Sequence, residues 1–374
     1  MPAAFHFVLK GKSMMSINRV LHKQGPDFWA SIEREIPKDR PAALTFNSHI
    51  TGLAVARSLG KYQVPVIALD RDGRAVGLYS KYVTLAALCP NPLEQEEAFI
   101  ELLLEIGKRL PQKGVLFPSN DEWVFAVSRH RERLQTYFHF PFSHLEIIES
   151  ILNKEKLYKK AEELGIPIPK TWFPEEWPSF GALAKAVAYP VFVKPVEQRS
   201  FYEVFKVKGF RAENDTELER VLAKVAGHPV VVQEIVGQKL SDFYSLCTYI
   251  DRRGNVTGAF VGRKIEQYPV SFGTGCLVKS EIQPAILKRG CALLKELSYH
   301  GISEAEFIYD ERDREYKLLD INTRTWKWIG LPIHCGVNLP ALAYFDAIGR
   351  EFPAAGTQRE NVKWVYSRDY QKLK

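Results

Sequence analysis

The 374 residues give length for about two to three ordinary domains, and 46% hydrophobic with 25% charged residues excludes a disordered or fibrous chain. A net charge of +7 suits acidic small ligands, but the basic residues never gather into a long tract, so no nucleic-acid partner is expected. Cys89, Cys247, Cys276, Cys291 and Cys335 lie far apart without a CxxC pair, which argues against zinc knuckles and disulfides and predicts a cytoplasmic location; no apolar run is long enough to span a membrane.

Residues 1–39 are read as an extension without assigned function, in which Phe28 to Ile36 forms a short docking helix. The apolar run Ala42 to Phe46, a helical pattern from Leu53 to Leu59 and a second run, Val64 to Leu69, make a βαβ unit ending at Asp70. Its turn, Asn47 to Gly52, is not GxGxxG, so a nicotinamide cofactor is not supported. A further strand, Val115 to Phe117, runs into the polar turn Pro118-Ser119-Asn120-Asp121-Glu122. Asp70 and Asp121 fit strand-end capping and ligand contact equally well. The pattern divides the chain into residues 40–148, 149–235 and 236–374 after the extension.

Near that first boundary Asn153 is placed to cap a helix carrying Lys154, Leu157 and Ala161, which Gly165 and Pro167 stop. Two short apolar strands follow, one ending in Lys194-Pro195 and one running Val230-Val231-Val232-Gln233-Glu234 into Ile235, Val236 and Gly237. Alternation from Glu304 to Tyr309 and from Tyr316 to Asn322, joined by charged residues, predicts a β-hairpin. Period two places Glu304 and Glu306 on one face of the first strand, and Asp320 and Asn322 on one face of the second. With an odd loop, Glu306 stands opposite Asp320. Facing carboxylates call for a counter-ion, and an all-oxygen donor set selects magnesium, with manganese as a substitute. A solvent-facing polar side of the hairpin is the competing explanation.

The ordered series Lys154, Lys194 in Phe-Val-Lys-Pro, Glu234 in Gln-Glu-Ile-Val-Gly, Glu306 in Ala-Glu-Phe and Asp320-Ile-Asn322-Thr-Arg324 resembles the ATP-grasp superfamily, in particular its carboxylate–amine ligases and D-aspartate ligase-like enzymes. The resemblance runs from about Pro41 onward. It implies an α/β fold with α+β lobes, an ATP-grasp unit preceded by a Rossmann-like pre-ATP-grasp domain. It also implies ATP and Mg2+ as ligands, Lys154 and Lys194 on the phosphates, Gln233, Glu234, Ile235 and Val236 at the adenine, Asp242 at the ribose, and Glu306, Asp320 and Asn322 on the metal. Arg324 and one of Arg263 or Lys264 would face the phosphoryl group or the substrate carboxylate.

By the same resemblance the chain makes an amide or peptide bond between small-molecule substrates, amino acids or their derivatives, through an acyl phosphate, and a homodimer is compatible with it. The alternatives are a bicarbonate-using carboxylase, a small-molecule kinase and a non-catalytic ATP-binding regulator. Asp320 stands where a glutamate is usual, and Glu197 to Phe205, expected as the loop over the phosphates, lacks glycine. Trp326 and Trp328 are read as walls of the acceptor pocket or as core.

Overall fold

The computed structural model describes residues 25–237, 239–270, 273–352 and 356–374; the expected extension lies outside this set up to residue 24. α1 (Pro26–Glu35) is the docking helix. Its Phe28 and Ile32, with Ile36 beyond it, are buried in one cluster with Phe99, Ile100 and Leu103. The helix therefore shares the core of the first domain, because its apolar residues recur at i, i+4 and i+8 and have a helical face to meet.

That domain is a parallel sheet of β1 (Ala43–Phe46), β2 (Val66–Asp70), β3 (Leu85–Leu88), β4 (Gly114–Phe117) and β5 (Phe138–His139), in the order β3-β2-β1-β4-β5. Every residue of β1, β2 and β4 is buried. Continuous apolar runs, without alternation, are what a sheet covered on both faces demands. α2 (Ile50–Gly60), α3 (Glu96–Arg109) and α4 (Asp121–Arg129) connect the strands, and Trp123 of α4 stacks on Phe46 at 5.7 Å. Asp70 is a strand-end cap, accepting from the Ser48 and Asp72 amides at 2.5 and 2.8 Å.

After α5 (Arg131–Leu134) and α6 (Leu145–Leu152), Asn153 caps α7 (Lys154–Glu163) by accepting from the Lys156 amide at 3.0 Å. A small antiparallel sheet follows: β6 (Thr171–Trp172), β7 (Val191–Pro195), β8 (Phe210–Ala212) and β9 (Val230–Glu234), ordered β6-β9-β7-β8. α8 (Phe180–Ala186), α9 (Gln198–Phe205) and α10 (Asp215–Lys224) complete it. The stretch expected as a covering loop is thus largely the helix α9. Without glycine it has no cheap route to positive φ, and Phe201 and Phe205, four apart, fold together onto Phe210 and His228. Tyr202 and Val204 remain half exposed or more, at 50% and 60%.

The large sheet is antiparallel, ordered β14-β13-β10-β11-β12-β15, from β10 (Phe243–Ile250), β11 (Val256–Tyr268), β12 (Thr274–Ser280), β13 (Gly301–Asp310), β14 (Glu315–Asn322) and β15 (Lys363–Val365). One face packs Leu246, Ala305, Phe307, Leu318 and Ile321 against Ile286 and Leu293 of α11 (Pro284–Glu296). On the other face Cys247, Phe260 and Ile302 join a cluster that also takes in Val55 and Leu59 of α2 and Leu339 and Leu342 of a later helix. The first domain and the large sheet therefore share one continuous core. Trp326 and Trp328 belong to that cluster, each 3% exposed.

Candidate active site

Residues 311–314 form an even loop between β13 and β14, and a regular ladder from it would set Glu306 against Leu319. A register shift between Glu306 and Phe307 absorbs Leu319 as an extra residue, which restores Glu306↔Asp320 and gives Glu304↔Asn322. The expected pairing thus arises from a bulge, and the odd-loop condition is corrected. The bulge also turns the Leu319 carbonyl to α7, where the Tyr158 hydroxyl donates to it at 2.7 Å.

Asn322 Nδ2 donates to Glu304 Oε2 at 3.1 Å and to Glu306 Oε1 at 3.4 Å, so the two strands bring these side chains onto one face. Burial, then the charge of Glu306, pushes the Glu304 carboxyl up to about 8 against the pull of Lys264 and Arg324. Among the described residues no group of three His, Cys, Asp or Glu side chains is gathered for a metal; the set here is two carboxylates and an amide. Its donors are all hard oxygens, which fits Mg2+, and Asn322 would offer Oδ1 on rotating its amide.

Two lysines face this cluster. Lys154 of α7, its side chain 5% exposed, donates to Asp320 Oδ2 at 2.8 Å. Lys194 of β7 donates to the Tyr158 hydroxyl and lies 3.5 Å from the Leu319 carbonyl oxygen. Burial and then Lys154 lower the Lys194 ammonium to about 7, with Asp320 and Glu306 opposing. Burial raises Asp320, yet Lys154 and Lys194 outweigh it and hold that carboxyl below its ordinary value.

Arg324 meets Asp121 of the first domain through Nε at 2.8 Å and Nη2 at 3.2 Å, and its Nη2 also lies 3.3 Å from Asn322 Oδ1. Ser119 Oγ, Asn120 Oδ1, Thr323 Oγ1, Thr325 Oγ1 and Trp326 Nε1 are buried without a hydrogen-bond partner. All flank this ion pair in the chain, and buried polar atoms of this kind mark places completed by water or ligand. Tyr158, Ser119 and Asn120 escaped the sequence reading; only the polar turn after β4 signalled any of them.

Alternation puts Arg263 and Lys264 on opposite faces of β11. Lys264 shares the face of Glu304 and lowers its pKa, with Nζ 4.9 Å from the Phe243 ring centroid. Arg263 lies on the opposite face, over the Tyr244 ring at 5.5 Å and 3.4 Å from Glu281 Oε1, so its expected place at the phosphates is corrected.

At the other end of the cleft Gln233 Nε2 donates to Thr171 Oγ1 at 2.8 Å. Glu234 accepts from the Lys170 amide at 2.8 Å and from Arg312 at 3.0 Å, with Lys317 at 3.6 Å. Its carboxylate is therefore a clasp between the small sheet and the hairpin, and the Ile235 amide that follows donates to the Pro190 carbonyl at 3.4 Å. Gly237 follows at φ +78°, where an added Cβ would stand 2.5 Å from Ile308. Asp242 is buried and accepts from the Lys239 amide at 3.1 Å.

No family model matches the chain. D-aspartate ligase from Enterococcus faecium (strain Aus0004) is 28% identical over 297 residues, which cover 75% of this chain and 70% of that protein. Among solved structures, L-amino acid ligase from Bacillus licheniformis matches with a TM-score of 0.61 at 16% identity, over 82% of this chain and 74% of that one. The biotin carboxylase domain of Hydrogenobacter thermophilus 2-oxoglutarate carboxylase, solved with MgADP and bicarbonate, matches with a TM-score of 0.66 at 17% identity, over 87% and 74%. No described helix is long and apolar enough to cross a membrane.

Proposed function

We propose, from the premise that this chain has the ATP-grasp fold and resembles carboxylate–amine ligases of the D-aspartate ligase type, that it uses ATP to join a carboxylate to an amine through an acyl phosphate. The observation that carries this reading is the cross-strand pair Glu306 and Asp320 with Lys154 and Lys194 facing it.

ATP lies in the cleft between the small and large sheets. Its adenine meets the main chain at Ile235 and Val236 beside Gln233, Asp242 takes the ribose, and Lys154 and Lys194 take the phosphates. Magnesium held by Glu306, Asp320 and Asn322 offsets phosphate charge when bound. A substrate carboxylate oxygen attacks the terminal phosphorus and ADP leaves; Lys194 and Lys264 offset charge on the transferring group. Arg324, held between Asp121 and Asn322, orients the acyl phosphate. A neutral amine then attacks the acyl carbon, phosphate leaves and the amine gives up a proton. The buried polar atoms around Asp121 and Arg324 supply a place for the non-nucleotide substrates.

The test is ADP release over a panel of amino acids and other carboxylates, with hydroxylamine as acceptor. A hydroxamate is expected. Phosphate-ester formation without hydroxamate would mark a kinase, and ADP release driven by bicarbonate with no amine would mark a carboxylase.

A further inference from the structure

Where the first sheet meets the Gly301 end of β13 lies a cavity of about 480 Å³, lined by none of the nucleotide, metal or substrate residues above. Its wall carries Lys113, Arg131, His139 and His144 from the first domain and Arg252 and His300 from the large-sheet side, and no Asp or Glu among the described residues lines it.

Lys113 and Arg131 are held in place by carbonyl oxygens, while Arg252 meets a carbonyl and also pairs with Asp346 at 3.7 Å. Lys113 donates to the Gln135 carbonyl at 2.9 Å, Arg131 to the Ser143 carbonyl at 3.1 Å and Arg252 to the Ala347 carbonyl at 3.3 Å. A carbonyl oxygen fixes a donor but cancels no full charge. Arg131 is further braced over the Phe140 ring at 4.5 Å. His300 Nε2 is buried with no hydrogen-bond partner.

Carboxylates within electrostatic reach are occupied or set back. Asp346 accepts from the Tyr249 hydroxyl at 2.7 Å and stands 3.7 Å from Arg252 and 3.9 Å from His300. Asp251 is taken by the amides of Arg253 and Asn255 at 2.9 and 2.8 Å, and Glu146 touches Arg131 only through its field. The surplus is felt by both inner imidazoles. Burial first, then Lys113 and Arg252, lowers His139; burial lowers His300 to about 4, with Arg252 and Arg131 adding to it and Asp346 opposing.

We propose that this cavity is a second ligand site, which binds a phosphate-bearing anion between the two domains. Basic donors from two domains lining one cavity suit a tetrahedral dianion, whose several oxygens each accept more than one hydrogen bond, better than a single carboxylate. The cavity is of the size that takes one small molecule. Whether the phosphate is free or part of an organic molecule, the recognising chemistry is the same.

The experiment is calorimetric titration of the full chain, with MgADP present in excess so that the nucleotide cleft is filled. Inorganic phosphate, pyrophosphate and glycerol 3-phosphate are the three probes, and the tightest separates a free from an organic phosphate. Lys113 and Arg252 are exposed, so Lys113→Gln and Arg252→Gln keep the fold, which their melting temperatures check. Saturable binding of one anion per chain is expected, weakened at least about tenfold in each variant. No saturable binding of any probe, or equal affinity in the wild type and both variants, overturns the proposal. Neither variant touches the cleft, so loss of the ligase reading leaves this result interpretable.

Discussion

Arg324 and Asp121 stand fork to fork across the domain junction, Nε to Oδ1 at 2.8 Å and Nη2 to Oδ2 at 3.2 Å, so the loop after β14 is set by the first residue of α4. The pair fixes the guanidinium plane beside the metal-facing strand. Asp121→Asn keeps the shape but weakens the fork. The expected outcome is a fall of about tenfold in kcat with the fold retained, while Arg324→Gln abolishes turnover. ADP release and circular dichroism check this; unchanged kcat in the asparagine variant would show that Arg324 is oriented without Asp121.

Glu306 and Asp320 face each other across the hairpin, with Lys154 donating to Asp320 and Asn322 to Glu306. Glu306→Gln and Asp320→Asn should each lower ADP release by at least about a hundredfold. Stability should hold in Glu306→Gln, since one of two crowded carboxylates is removed. The added thermal stability that MgATP confers on the wild type should vanish in both. If both variants turn over normally, the metal reading is lost.

Period two puts Glu304 with Glu306 on one face of the first strand and Asp320 with Asn322 on one face of the second, and the observed register sets these pairs against each other. What alternation does not carry is the bulge at Leu319, whose carbonyl is held by a long-range partner, Tyr158, 161 positions earlier in the chain. Arg263 and Lys264 illustrate the same limit: adjacent basic residues look alike until neighbouring strands show which face is the cleft. The resemblance predicts a loop where α9 stands, while the spacing of Phe201 and Phe205 is helical. Asp121 could be placed at a strand end, but its partner lies 203 residues away and no local pattern announces it.

His300 gives a pH dependence whose sign follows from burial. Its side chain is 18% exposed, and burial holds the ring near 4 against an ordinary 6.5, with Arg252 and Arg131 adding to that and Asp346 and Asp251 opposing. The folded pKa is depressed, so between 6.5 and about 4 the unfolded chain binds the extra proton and stability falls as pH falls. From pH 7.5 to 5 this ring should cost about 2 kcal/mol. Urea midpoints of the wild type and His300→Gln at the two pH values measure it; equal losses in both proteins would rule the ring out as the source.

Tyr158 ties three parts of the site together: fully buried in α7, it donates to the Leu319 carbonyl at 2.7 Å and accepts from Lys194. Tyr158→Phe preserves the packing but leaves a bulge carbonyl and a buried ammonium each short of a partner. Destabilisation of about 1–2 kcal/mol is expected from the lost hydrogen bonds. Lys194 then keeps the Leu319 carbonyl oxygen at 3.5 Å and the ring face at 5.0 Å but loses its hydroxyl partner, so its ammonium is held less firmly toward the phosphates. The ATP KM should rise several-fold with a smaller change in kcat, since the lysine charge stays in the cleft and only its placement is lost. A denaturant midpoint and an ATP titration of ADP release separate the two effects. Lowered stability with an unaltered ATP KM would confine Tyr158 to the fold.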